Sequence, residues 1–386
     1  MMKQKAVFSL IYSLFIFSTA DLSAQKQTNI WYFGSRAGLD FNSGTPAPLE
    51  NGMMATNEGC ASIADNTGNL LFYTNGVYVW NHDHQQMPNG YRLMGHRSSS
   101  QSAVIVPKPG SETLFYIFTT DLQSQAYGIR YSVVDITQNA NTGDVVEKNV
   151  FMTSPITEKI TAVQHQNGRD MWVIAHKWNS DAFVAFLVTA QGVSKEPVIS
   201  RIGTVHKGRS KGAIGCMKAS PDGRKIAVAI WRDLNRFEVF DFNNNTGVLS
   251  NRIHLEPYAE AYGVEFSPDG SKLYGTTNGI GKAKPQLWQF NLRAGNNTAI
   301  NNSAILISTS PKYKLGALQL ASDGKIYLAK ENDNYLGVIQ NPNAAGWSCR
   351  YQEQGVSLGN RQAKLGLPNF VQSYFNYVSP VLNSKQ

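Results

Sequence analysis

The stretch GVEFSPDGSKLYGTTNG, residues 263–279, places a Ser-Pro-Asp-Gly turn between two runs of alternating apolar residues. The same grammar returns as GCMKASPDGRKIAVAIW from Gly215 and as GALQLASDGKIYLAKEN from Gly316. Relaxing Asp-Gly to any turn bearing Gly or Asn adds GCASIADNTGNLLFYTNG from Gly59, SAVIVPKPGSETLFYIFTT from Ser102 and TAVQHQNGRDMWVIAHKW from Thr161. Successive copies begin roughly 43 to 60 residues apart. That is the period of four-stranded propeller blades, longer than the repeats of most helical or leucine-rich solenoids. Few other folds accommodate it.

Each copy carries material for two more strands. After the second strand come VYVWNHD, GIRYSVVDI, FVAFLVTAQG, FEVFDFNNNTG, QLWQFNLRAG and LGVIQNPNAAG, followed by short segments such as VLSNRIHL or SAILIST. A period of two throughout is the pattern of strands packed between neighbouring blades. The ends complete the count. NIWYFGSRAGLDFNSGTPAPL, from Asn29, reads as a second, third and fourth strand without a first, and LGLPNFVQSYF, from Leu365, reads as a first strand alone. Joined, they make a seventh blade and remove the unpaired edges of an open array. The expected fold is all-β, a seven-bladed β-propeller of four-stranded blades, the last blade closed by N-terminal strands plus the C-terminal strand.

Composition agrees. Of 386 residues, 42% are hydrophobic and only 16% charged, with 33 glycines. Such a chain favours turn-rich β structure over long amphipathic helices. Residues 1–24 read as a secretory leader: Lys3 and Lys5, then AVFSLIYSLFIF, then LSA before Gln25. The apolar run is shorter than the ~20 residues of a membrane-spanning helix. Residues 25–378 are expected to form a single propeller domain and 379–386 a short tail, with the protein secreted, extracellular or periplasmic, and monomeric. The three cysteines, Cys60, Cys216 and Cys349, are widely spaced and odd in number, so they give no disulfide framework. They read as buried small side chains, with a Cys349 cross-link as the alternative. The net charge of +8 is spread along the chain. Neither nucleic acid nor membrane insertion is implied.

In a propeller the first strand of each blade lines the central channel, and the residue before it sits at one mouth. Those positions are Glu58, Gln101, Glu158 with Lys159, Lys211, Glu260, Lys314 and Lys364. Recurring by repeat register, they should form one polar ring, read as the ligand-binding rim. The competing reading is a self-neutralising set of ion pairs holding the blades in register, each exposed pair contributing only ~0–1 kcal/mol. His82 and His84, two apart, would share one side of a strand, but HExxH, CxxC and calcium-loop patterns are absent, so no metal and no cofactor is expected. His165 and His176 read as turn and strand histidines. Asp222, Asp269 and Asp323, each followed by Gly, read as turn formers rather than catalytic carboxylates. No nucleophile motif or phosphate-cradling loop occurs. Lys207, Arg209 and Lys211 in SRIGTVHKGRSKGAIG read as a solvated interblade loop, with an anion grip as the alternative. Trp80, Trp172, Trp231 and Trp288 read as interblade packing, and Trp178 or Trp347 as candidates for sugar stacking.

NIWYFGSRAGLDFNSG, NEGCASIADNTGNLLFYTNGVYVWN, QSAVIVPKPG, GIRYSVVD, EKITAVQHQNGRDMWVIAH and LGLPNFVQSYF together resemble the N-terminal propeller of large secreted surface proteins of Bacteroidota, where it often precedes PKD-type modules and a type IX secretion signal. The SPDG hairpins are similar to those of WD-like and YVTN-like propellers generally. The resemblance covers nearly all of residues 29–376 and implies an extracellular setting without assigning chemistry. The chain stops at Gln386, before any such module, so the expectation is a released or periplasmic propeller. The functional expectation is a binding module that takes a protein segment or glycan at the channel mouth. The alternative is a propeller enzyme, lactonase-like, glutaminyl-cyclase-like or a polysaccharide lyase, with an acid–base pair or metal in the channel.

Overall fold

Seven antiparallel sheets follow one another along the chain in a computed structural model that describes residues 25–376. The expected leader and the last ten residues lie outside the described residues. Blade 1 holds Ile30–Phe33, Ala37–Asp40 and Ala47–Leu49, and blade 2 holds Ala61–Ala64, Leu70–Thr74 and Val79–Asn81. Blades 3 to 7 each form a full four-stranded ladder, with inner strands Ala103–Pro107, Ile156–Gln164, Met217–Ala219, Ala261–Phe266 and Leu315–Leu320. In blade 4 the third strand, Ser180–Thr189, pairs with the outer strand Val198–His206 and, at its far end, with a short extra strand, Gly192–Val193. The fourth position of blade 2 is irregular: Val79 N–H donates to the Gly90 carbonyl, Met87 N–H to the Val79 carbonyl and Leu93 N–H to the Val77 carbonyl.

The hairpin turns behave as the sequence demands. Ser220 Oγ donates to Asp222 Oδ1 at 2.5 Å, the same carboxylate accepts from Arg224 N–H at 3.1 Å, and Gly223 takes φ 68°. Ser267, Asp269 and Gly270 repeat the arrangement, with Gly270 at φ 65°. Asp323 accepts from Lys325 N–H and from Tyr327 Oη. These carboxylates are committed to turns.

The apolar faces pack blade against blade, so the core is a set of interblade layers. One layer joins Val104, Phe118 and Ile129 of blade 3 to Ile160, Val173 and Phe186 of blade 4. Another joins Trp172 and Phe183 of blade 4 to Met217, Val228 and Phe240 of blade 5. Trp31 of blade 1 lies against Tyr327 of blade 7, their rings 5.5 Å apart and nearly perpendicular. Cys60, Cys216 and Cys349 are free thiols inside these layers.

Closure uses both ends of the described chain. The segment 362–371 takes the inner place of blade 1, between blades 7 and 2: Ser35 N–H donates to the Gln362 carbonyl, Leu365 N–H to Asn57 and Ala317 N–H to Leu365. The fit requires glycine on both flanks. A Cβ at Gly316 would overlap the Leu365 carbonyl, and one at Gly366 the Glu58 carbonyl. The segment then runs down the channel alongside its neighbours, with parallel bridges from Pro368 to Cys60 and from Val371 to Ala162. Asn369 donates to the carbonyls of Ile160 at 3.0 Å and Ala103 at 3.4 Å. The C-terminal segment, held by isolated bridges rather than a continuous ladder, therefore occupies the inner place of blade 1 and fills the channel.

Candidate functional site at the channel mouth

All inner strands begin at the same end of the channel, and there the structure brings together Glu58, Gln101, Glu158 and Lys159, the last two inside the strand Ile156–Gln164 rather than before it, because that strand starts two residues ahead of Glu158. They do not form an open ring. Gln101 is 3% exposed and acts as a staple: its Nε2 donates to the Met217 carbonyl at 2.8 Å, and its Oε1 accepts from Met217 N–H at 2.7 Å and Ile160 N–H at 3.2 Å. Its role is structural, tying blade 3 to blades 4 and 5. Glu158, fully buried, accepts from Ser100 N–H at 2.7 Å, Ser100 Oγ at 2.6 Å and Gln123 N–H at 2.8 Å. Lys159, also fully buried, donates from Nζ to the carbonyls of Ala213 at 2.8 Å and Ile214 at 2.9 Å.

Glu58 reaches across the mouth and accepts from Tyr262 Oη at 2.9 Å. Burial, reinforced by the nearby Glu158, pushes its carboxyl up to about 8. Burial likewise raises Glu158 and lowers Lys159, the latter to about 7, with the neighbouring Glu158 opposing the drop. The cause is common to all three: low-dielectric surroundings disfavour the charged form.

The remaining ring positions lie further out. Lys314 Nζ stands 3.7 Å from Glu331, Glu260 stands 3.7 Å from Arg232 Nε, and Lys364 Nζ donates to Asn332 Oδ1. Lys211 is exposed and has no ion-pair partner among the described residues. With Arg209, Ser210 and Arg232 it borders an open cleft of about 420 Å³. Arg209 is engaged with Asp233 at 2.6 Å. The ring foreseen from sequence is therefore two tiers, a buried hydrogen-bonded set and an outer rim, mostly cationic, in which the Lys211 side chain alone of the ring positions has no partner among the described residues.

Below the mouth the channel wall carries charges that the ring omitted. Lys218 Nζ lies 3.6 Å from Glu265 and also donates to Gln319 Oε1, the three coming from blades 5, 6 and 7. All are buried. The signal was present in the sequence: each stands four residues before its turn aspartate, breaking the apolar alternation at the same register. Ser100 and Tyr262 had no comparable signature.

The histidine expectations are resolved by backbone shape. The segment holding His82 and His84 is a turn rather than a strand, with His84 at φ 61°, its ring nitrogens facing Asn51 Nδ2 at 2.8 Å and Tyr73 Oη at 3.3 Å. The two imidazoles thus do not share a strand face. His165 is a turn residue, its Nδ1 accepting from Asn167 N–H at 3.0 Å. His176 stacks on His206 in blade 4 with ring centroids 3.7 Å apart. Among the described residues no group of three or more His, Cys, Asp or Glu could hold a metal ion.

A larger cavity, about 760 Å³, opens at the opposite, hairpin-turn end beside Ser373. Its carboxylates are occupied, Asp222 by the turn and Asp241 by Lys225 at 2.6 Å, so the convergent chemistry lies at the mouth.

No known family signature matches this chain, and no curated protein matches it in sequence. Its shape has many counterparts. A candidate 6-phosphogluconolactonase from Bacteroides fragilis superposes with a TM-score of 0.54 at 12% identity, covering 91% of this chain and 98% of its own. A second, from Bacteroides uniformis, gives 0.51 at 11% identity, covering 88% and 98%. At such identity the likeness is one of fold: a β-propeller spanning nearly the whole of both chains.

Proposed function

We propose that the protein is a secreted binding module that receives a protein segment or glycan at the channel mouth. One observation carries this reading: the buried carboxylates and lysine of the mouth, and the other charged positions of the rim, already have protein partners, while exposed Lys211 has no ion-pair partner among the described residues. A floor of satisfied hydrogen bonds is rigid and preorganised, which lowers the ordering cost of binding. The resemblance to surface propellers of Bacteroidota supports an extracellular setting, and no helix among the described residues is long and apolar enough to cross a membrane.

The test is a glycan and peptide array probed with the mature protein, Lys211→Ala and Glu58→Ala. Lys211→Ala is expected to weaken the best ligand about tenfold, the scale of one lost charge-assisted contact. Unchanged binding by both variants would sink the reading.

A second reading rests on Glu58, whose raised carboxyl holds a proton near neutral pH beside the Tyr262 hydroxyl. That is the disposition of a general acid in a channel hydrolase. Lactone hydrolysis abolished by Glu58→Gln, with folding intact, would favour it over the binding module.

A further inference from the structure

An aromatic pocket flanks the mouth, between blades 1 and 2, and none of the ring residues lines it. It has a volume of about 450 Å³, within the range of small-ligand sites, and its walls include Met53, Tyr78, Trp80, Asn75, His96 and Arg97. Met53 and Tyr78 are 46% and 41% exposed, so two large apolar side chains stand open to solvent there. No acidic side chain lines it.

The pocket is built rather than incidental. Behind it runs a column of rings: Tyr32 stacks on Tyr73 at 4.5 Å, Tyr73 on Trp80 at 5.4 Å, and Tyr78 lies 5.9 Å from Trp80. Tyr73 Oη accepts from Met53 N–H at 3.1 Å, fixing the opposite wall. Asn75 Oδ1 accepts from the N–H groups of Val77 and Tyr78, which sets the turn presenting Tyr78. The Arg97 carbonyl accepts from Asn57 N–H, Glu58 N–H and Thr56 Oγ1, anchoring its backbone to the mouth. Its guanidinium is exposed and has no partner among the described residues.

We propose that this pocket is a binding subsite for a carboxylated pyranose, a uronic-acid unit of a glycan. A sugar ring offers an apolar C–H face to Tyr78 and Met53, while its carboxylate meets the fork of Arg97, which suits bidentate recognition. A cationic pocket free of carboxylates selects an acidic ligand, and the protein's net charge of +8 favours its approach. The inference deepens the binding reading and rests on it in assigning the same face to ligand. Its residues are nonetheless separate from Lys211, so the two can fail independently.

The experiment is calorimetric titration of the mature protein with trigalacturonate and triglucuronate, with galactotriose and triglutamate as neutral and peptidic controls. Saturable binding of at least one uronate, about tenfold tighter than either control, is the expected result. Tyr78→Ala should weaken it about tenfold. Tyr78→Phe should retain it, and Arg97→Ala should reduce the uronate to the level of galactotriose. A melting temperature unchanged from wild type establishes that each variant is folded. Saturation by neither uronate, equal binding of triglutamate, or indifference to both Tyr78→Ala and Arg97→Ala would overturn the proposal. Lys211→Ala separates the readings: loss there with Tyr78→Ala silent leaves the mouth standing without the pocket, and the converse leaves the pocket without the mouth.

Discussion

The buried channel wall and the exposed rim contain the same residue types and use them for opposite ends. Lys218 and Glu265 face each other at 3.6 Å with almost no solvent contact, and each would be costly alone. Lys314 and Glu331 stand at nearly the same separation, 3.7 Å, but with side chains 62% and 33% exposed. Water screens the second pair and makes either partner dispensable. Charge in this propeller thus joins blades on the wall and forms solvent-screened pairs on the rim. Burial, not residue identity, draws the line.

Removing one partner from the wall is the strongest challenge to that contrast. Glu265→Ala leaves the Lys218 ammonium buried without a counter-ion, and we expect a loss of about 3–5 kcal/mol in urea unfolding. Lys218→Met combined with Glu265→Leu should recover most of it, because no charge then remains to be solvated. If the double variant were as unstable as the single, the wall would matter for packing rather than charge.

Acid probes the next level. Burial lowers His176 from 6.5 to about 3 and pushes His206, stacked on it, well below its ordinary value, with His176 adding to the effect on His206, Lys159 opposing protonation of both and Arg236 that of His206. In that window the unfolded chain binds more protons than the native one, so the stability these rings contribute is complete above about pH 6.5 and is lost as pH falls towards about 3. Melting temperature followed across this range should decline less steeply in His206→Phe than in wild type. Equal slopes would assign the acid sensitivity elsewhere.

The rim should respond least. Lys314→Ala is expected to change stability by no more than about 0.5 kcal/mol, the scale of ordinary surface substitutions. A larger loss would show that the rim, too, is structural.

The blade period, the hairpins and the joining of both ends were legible in the sequence because they rest on local chemistry. Alternation at a period of two and the Ser-Pro-Asp-Gly turn act within one hairpin, and repetition multiplies the signal. The register of the inner strands likewise pointed to Glu58, Glu158 and Lys159 as channel residues. It could not tell that Gln101 is a staple, since its partner Met217 lies 116 residues away, or that Tyr262 meets Glu58 across 204. Nor did it separate the buried tier from the exposed one.

The amino-acid order alone determined a closed ring of seven blades, its turns and the end at which the polar residues gather. Only the tertiary structure decided which of them are spent on the protein itself, that the segment after Gln362 fills the channel, and that Tyr78 and Arg97 share an open pocket. The physical reason is that strand pattern and turn geometry are properties of neighbours in the chain, whereas solvation and pairing depend on groups that closure brings together from different blades.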